Sequence, residues 1–298
     1  MNLSSYKTGN ALKTFIFLAA LTGLFLVAGF LIGGASGLII ALVLAGGMNL
    51  AMYWFSAPMA LKMARAKEVT PEEEPQLHQM VDRLAGRAGL PKPKVYVTPD
   101  QQPNAFATGR NPKHAAVAVT KGIQHALGPR ELEGVMAHEM AHIKNRDILI
   151  ASIAAMVAGA ISYLTYMLLF FGGDDDSPLG LIGTLATFLL APIAAGIMQM
   201  AISRQREYQA DATGAQLMGD PIPLADALEG MQRTANAIPM KVNEATAPMY
   251  IVNPLSANAR GGRGGRMAKL FSTHPPTEER VSRLRKMAGM ASMELQTF

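Results

Sequence analysis

The run His138-Glu139-Met140-Ala141-His142 stands just before the uncharged stretch Ile148–Gly173. On a helix, residues four apart share a face, so both imidazoles can bind one zinc ion. The glutamate between them can then reach a water at that ion and act as general base. An uncharged stretch of this length suffices for a bilayer-spanning helix. The sequence thus sets a hydrolytic metal site beside a membrane surface, and the rest of the chain is read outward from that placement.

Half of the 298 residues are hydrophobic and only 16% are charged, too apolar a balance for an ordinary soluble protein of this size. The charges are segregated. Thr14–Leu61 is uncharged, as are Ile148–Gly173 and Ser177–Ser203. The first block would measure roughly 70 Å as one helix, against a hydrocarbon core of about 30 Å. It must fold back, and Gly33-Gly34-Ala35-Ser36-Gly37 is the natural turn. The other two blocks form one span each, separated by Asp174-Asp175-Asp176. The reading is a mainly α membrane protein with four transmembrane helices in two hairpins, near 14–33, 37–58, 148–171 and 180–202. The apolar stretch from Thr14 is longer than a typical signal-peptide core and is followed almost at once by another, so it reads as a retained span.

Lysine and arginine set the orientation. Lys7 and Lys13 precede the first span, and Lys62, Arg65 and Lys67 follow the second. Lys144 and Arg146 precede the third, and Arg204 and Arg206 follow the fourth. Neither hairpin tip carries a positive charge. All basic flanks therefore lie on one side, the cytoplasmic one, together with the N-terminus. The absence of cysteine agrees with a reducing compartment. The pI near 9.4 is accounted for by these flanks and anionic lipid headgroups rather than by nucleic acid.

Four segments follow: an N-terminal hairpin over 1–61, a first catalytic part over 62–147, a second hairpin over 148–202 and a second catalytic part over 203–298. The two polar parts lie on one side and combine into one α+β catalytic domain. Thr70-Pro71-Glu72-Glu73 reads as a capping box that starts a helix, with Leu77, Met80, Val81 and Leu84 as its apolar stripe. Lys94–Thr98, Asn104–Thr108 and Ala115–Thr120 read as short strands. Gly128-Pro129 opens the helix that carries the metal motif. Ala259–Arg266, an arginine-glycine run without aromatics, reads as a surface loop.

A catalytic zinc needs a third protein ligand. Asp174–Asp176 lie across the membrane, and Asp147 is so close along the helix axis that it is expected to point away from the metal face. Glu207 and Asp211, four apart just after the fourth span, return to the surface from which His142 departs. Glu207 is read as the third ligand, and Asp211 as acceptor of a hydrogen bond from a ligand imidazole, that of His138.

Four segments together carry a resemblance: His138-Glu139-x-x-His142-x-x-Asn145, Arg204-x-x-Glu207-x-x-Ala210-Asp211, Pro103-Asn104-Ala105-Phe106-Ala107-Thr108-Gly109 and Ser272-Thr273-His274-Pro275-Pro276. Over nearly its whole length the chain resembles the HtpX-type membrane zinc metalloproteases, relatives of the CAAX prenyl endopeptidases. The resemblance implies a gluzincin-like fold, one zinc per chain and attack of an activated water on a peptide carbonyl. It also implies a bacterial inner-membrane location and a part in stress-responsive quality control of damaged membrane proteins. Protein or peptide substrates, mainly membrane proteins, and the lipid bilayer are the implied partners. Asn145 is placed beside the metal ligands, and His274 is placed to donate to the developing oxyanion. Asn104, Ala105, Phe106 and Ala107 would offer an unpaired strand edge to an extended substrate. From the residues alone, a plain sheet strand reads the same way.

Other classes fit less well. The four spans hold no Lys, Arg, Asp or Glu, against a transporter or channel. Glu139 would be superfluous in an inactive scaffold, since ligands alone suffice for structural zinc. Cleavage inside the bilayer would need the motif within an apolar span, but charged residues flank it on both sides. A CAAX-type processing peptidase is the alternative within the same chemistry.

Overall fold

The computed structural model describes residues 3–154, 157, 204–237, 250–251 and 275–295. Helix α1 (Leu3–Met63) is broken at Gly33 (φ −137°, ψ 17°) and Gly34 (φ 57°, ψ −138°). Gly34 adopts a left-handed φ that side chains resist, and here the chain doubles back. Across the hairpin, Asn49 Nδ2 donates to Thr22 Oγ1 at 2.8 Å. The expected fold-back of the first uncharged block is thus present at the expected glycines. Among the described residues, one helix is long and apolar enough to cross a membrane, Gly33–Met63. Residues 148–154 are helical, as the third expected span begins. The rest of that span, the fourth span, Asp174–Asp176, Ala259–Arg266 and His274 lie outside the described residues.

A mixed four-stranded sheet follows, with strand order β1-β2-β4-β3. Strand β1 (Lys67–Glu68) pairs antiparallel with β2 (Lys94–Thr98), which pairs parallel with β4 (Ala115–Thr120). Strand β3 (Ala105–Gly109) runs antiparallel to β4 and forms the outer edge, with Ala107 opposite Val117.

Helix α2 (Pro75–Ala88) starts later than its capping signal. The Thr70 N–H does donate to Glu73 Oε2 at 2.8 Å, and the Glu73 N–H to Thr70 Oγ1 at 3.3 Å. These bonds close only a turn, because Pro75 has no N–H to continue a helix through it and instead begins a new one. Leu77, Met80, Val81 and Leu84 form the buried face, as the apolar stripe predicts. Helix α3 (Lys121–Ala126) is capped by Thr120. Helix α4 (Pro129–Asn145) carries the metal motif; the Gly128 N–H donates to Glu131 Oε2 at 2.8 Å.

Helices α5 (Arg204–Met218), α6 (Ile222–Ala237) and α7 (Thr277–Leu295) complete the described structure. Helix α4 lies at the centre, packed by α5, α6, α2 and β3. Val135, Met136, Met140 and Ile143 are fully buried in the core that these elements share. The chain is therefore mostly helical with a small mixed sheet, and the motif helix is buried from Gly134 to Ala141.

Candidate metal centre

The helical period of α4 places His138 and His142 on one face, and their Nε2 atoms come within 3.1 Å of each other. Helix α5 delivers Glu207 to the same point. Its Oε2 stands 3.7 Å from His138 Nε2 and its Oε1 3.7 Å from His142 Nε2. Ligand atoms from His138, His142 and Glu207 all lie within 4.8 Å of one another. Ligands about 2.0–2.2 Å from a tetrahedral zinc stand roughly 3.4 Å apart, so the spacing and the N,N,O donor set suit that ion. Two helices reach such proximity because α5 crosses α4 at Gly214. A Cβ there would meet His138 N at 3.0 Å and the Ala137 carbonyl carbon at 3.1 Å.

The outer groups fix each imidazole. His138 Nδ1 lies 2.9 Å from Asp211 Oδ1 and donates to it, which turns Nε2 toward the cluster. His142 Nδ1 lies 3.1 Å from both carboxylate oxygens of Asp147. This corrects the expectation that Asp147 points away. Helix α4 ends at Asn145, Arg146 takes a left-handed φ of 58°, and the Asp147 N–H returns to the His142 carbonyl at 3.3 Å. The chain is turned back under the ligand instead of continuing along the helix axis.

Arg280 of α7 is the group that no sequence signal indicated. It is 1% exposed, and its Nε and Nη2 donate to Asp211 Oδ2 and Oδ1 at 2.9 and 2.7 Å. Its Nη1 is also 3.8 Å from Glu207 Oε2. Asp211 and Arg280 are 69 residues apart, and Arg280 lies in an ordinary-looking basic stretch with Arg283 and Arg285, so spacing could not have revealed it.

Electrostatics separate the two histidines. Burial lowers His138 to about 4; the Asp211 hydrogen bond opposes this and the Arg280 charge adds to it. Burial also pulls His142 down, but Asp147 and Glu207 outweigh it and raise the ring to about 10. Asp147 and Glu207 thus favour positive charge at His142, whereas burial and Arg280 disfavour it at His138. Burial opposes ionisation of Asp211, yet Arg280 and His138 hold its carboxyl down at about 2. Glu139 is 3% exposed, and burial pushes its carboxyl up to about 7, with the Glu207 charge adding to the rise. The His142 charge and the Ala107 N–H pull the other way.

Residues 71–288 match peptidase family M48. The chain belongs to that family. It is a metallopeptidase. The "Protease HtpX homolog" of Persephonella marina (strain DSM 14350 / EX-H1) is 56% identical over 94% of this chain and 98% of its own. That of Desulfatibacillum aliphaticivorans is 53% identical over 93% and 89% of the two chains. That of Ralstonia pickettii (strain 12J) is 54% identical over 94% and 97%. Among solved structures, Ste24p of S. mikatae shares the fold, with a TM-score of 0.50 at 20% identity over 94% of this chain and 67% of that one.

The remaining sequence-derived positions of the metallopeptidase fall as follows. Asn145 is buried at the C-terminal end of α4. Asn104, just before β3, and Ala105, Phe106 and Ala107 within it are buried, and β3 lies beside the motif helix. The Asn104 N–H donates to Thr120 Oγ1 at 2.9 Å, and its Oδ1 accepts the Ala105 N–H at 3.2 Å. The edge of β3 is not wholly unpaired, because the Ala105 carbonyl accepts the Ile251 N–H at 3.2 Å.

Proposed function

We propose that this chain is a zinc endopeptidase of the bacterial inner membrane that cuts cytoplasmic loops and termini of membrane proteins, above all misassembled ones. The observation that carries the reading is the convergence of His138, His142 and Glu207 beside buried Glu139. His138, His142 and Glu207 would hold one zinc, with Asp211 and Asp147 fixing the imidazoles and Asn145 closing the end of the ligand helix. Zinc bound there supplies Lewis acidity that makes water a nucleophile near neutral pH. Glu139 would accept the proton of the attacking water and pass it to the leaving amine. The main chain of the substrate pairs with the outward edge of β3, reached through Ala107 of the Asn104–Ala107 stretch, and His274 donates to the oxyanion.

Four spans, arranged as 1–61 and 148–202 with the gluzincin-like catalytic parts 62–147 and 203–298 on the cytoplasmic side, explain the choice of substrate. Helical residues 148–154 follow the motif helix almost directly, which supports a site close to the membrane surface. A polypeptide anchored in the same bilayer presents its loops there without diffusing away. Membrane-protein quality control under stress is the role this geometry suits. The test is to purify the protein in detergent, measure bound metal and assay casein and a membrane-protein substrate with and without chelator. Stoichiometric zinc and chelator-sensitive cleavage are expected. Cleavage indifferent to chelator, or cuts in vesicle-reconstituted substrates on the opposite face, would overturn the reading.

A further inference from the structure

Among the described residues, β4 is the one strand paired with β3, and antiparallel pairing leaves alternate residues of β3 facing outward. The Asn104 carbonyl accepts the Thr120 N–H at 2.9 Å, so positions 104, 106 and 108 face β4 while Ala105, Ala107 and Gly109 face out. Those outward groups are not equivalent. The Gly109 N–H reaches Ser152 Oγ at 3.4 Å, and the Ala107 N–H points at Glu139. The Ala105 carbonyl, at the other end, is taken by the Ile251 N–H at 3.2 Å.

Ile251 makes the contact that a substrate residue would make on an edge strand, a main-chain N–H on an outward carbonyl. It is well fixed there. Its own carbonyl accepts from Arg280 Nη1 at 3.2 Å, and Ile251 is 2% exposed. The neighbouring Tyr250 is 1% exposed and meets Phe106 edge-to-face, with centroids 5.2 Å apart and planes at 76°. Tyr250 is thus packed on the residue next to Ala105.

We propose that Tyr250–Ile251 is a specificity-determining segment that closes the Ala105 end of the substrate edge. The proposal rests on the reading of β3 as the substrate strand. With Ile251 in place, an extended peptide pairs with β3 only along Ala107–Gly109, a stretch of roughly 7 Å. A peptide that extends past Ala107 toward Ala105 gains no main-chain bond unless it displaces the Ile251 amide. The segment therefore limits how much extended chain the enzyme recognises.

The experiment uses the full-length, zinc-loaded protein in detergent and a set of casein-derived peptides lengthened one residue at a time at either terminus. Ile251→Pro deletes the competing N–H, and Ile251→Ala keeps it while trimming the side chain. In wild type and Ile251→Ala, KM should stop falling once the peptide passes Ala107. In Ile251→Pro it should fall further by roughly two- to tenfold, the worth of one main-chain hydrogen bond, with kcat little changed. A folded, metal-bound Ile251→Pro protein with the wild-type length profile overturns the proposal. Should that variant fail to fold, hydrogen exchange at the Ile251 amide decides, in Glu139→Gln with and without saturating longest peptide. Loss of protection on binding is expected; protection retained with peptide bound overturns the proposal. If the wild-type protein cleaves none of the peptides, the endopeptidase reading fails and this one falls with it, whereas cleavage with an unresponsive Ile251 refutes the segment's role alone.

Discussion

Helix α4 buries Val135, Met136, Ala137, Met140, Ala141 and Ile143 completely, whereas α1 turns Ile39, Val43 and Leu50 outward at 61%, 69% and 64% exposure. The two helices touch, yet they solve opposite problems. Helix α4 also buries His138, Glu139 and Asn145, polar groups that protein interiors tolerate only when paired or bound to an ion. The second arm of α1 carries no charge from Gly33 until Lys62, so it has nothing to keep dry and much apolar surface to cover. The comparison teaches that enclosure, not hydrophobicity, marks the reactive part of this chain. Among the described helices, the most apolar one is the outward one.

The sharpest test of that contrast concerns the chemistry enclosed by α4. Glu139→Gln keeps the shape of the side chain and all three ligands while removing the proton acceptor. Cleavage should fall by about a hundredfold to ten-thousandfold, while bound metal measured by mass spectrometry and the melting temperature stay at wild-type values. Wild-type turnover in a metal-loaded Glu139→Gln protein would mean that α4 encloses a structural ion only.

A second pair of variants tests the packing side of the comparison. Met136→Ala should cost about 2–5 kcal/mol, since Met136 is fully buried and its removal leaves a cavity. Val43→Ala on the outward face of α1 should change stability by no more than about 0.5 kcal/mol. Both are read from denaturant unfolding in the same micelle. If Val43→Ala costs as much as Met136→Ala, the outward face of α1 has a protein partner and the contrast collapses.

The same contrast explains what the sequence could and could not reveal. His138, His142, Glu207 and Asp211 were legible because helical spacing and hairpin return are properties of the chain read in order, and the fold brings all four together. The Gly33-Gly34 reversal and strands β2, β3 and β4 were legible through glycine and proline boundaries and alternation, whereas the two-residue β1 was not. Asp147 was misread because a left-handed Arg146 turns it back, a departure from helical geometry that no spacing rule includes. Arg280 and Ile251 depend on which helix and which turn arrive from far along the chain, so only the folded molecule shows them. The capping signal at Thr70 was real, but Pro75 postponed the helix.

Asp147 and Asp211 provide a finer test within the enclosed region. Each holds one ligand imidazole, and loss of such a partner typically weakens metal binding by about ten- to a hundredfold. Asp147→Ala should fall in that range, measured by competition with a chelator of known affinity. Asp211→Ala should cost more in stability, because Arg280 loses its two-point carboxylate partner while still buried. Equal melting temperatures for the two variants would show that Arg280 finds another counter-charge, with Glu207 Oε2 at 3.8 Å as the candidate.

The smallest expected effect lies on the water-facing side of the catalytic elements. Arg83 Nη2 of α2 stands 3.3 Å from Glu133 Oε1 of α4, and the arginine side chain is half exposed. This pair joins the same two helices that Met136 and Leu84 hold from within. Exposed pairs of this kind contribute about 0–1 kcal/mol, because water weakens the attraction and ordering a long side chain opposes it. Arg83→Ala should therefore lower stability by at most about 1 kcal/mol, and the difference from wild type should shrink further as salt is raised from 0.05 to about 0.5 M. A salt-independent loss of several kcal/mol would show that the Arg83 stem packs as part of the core. The boundary between the enclosed and water-facing sides of α4 would then lie a full layer further out.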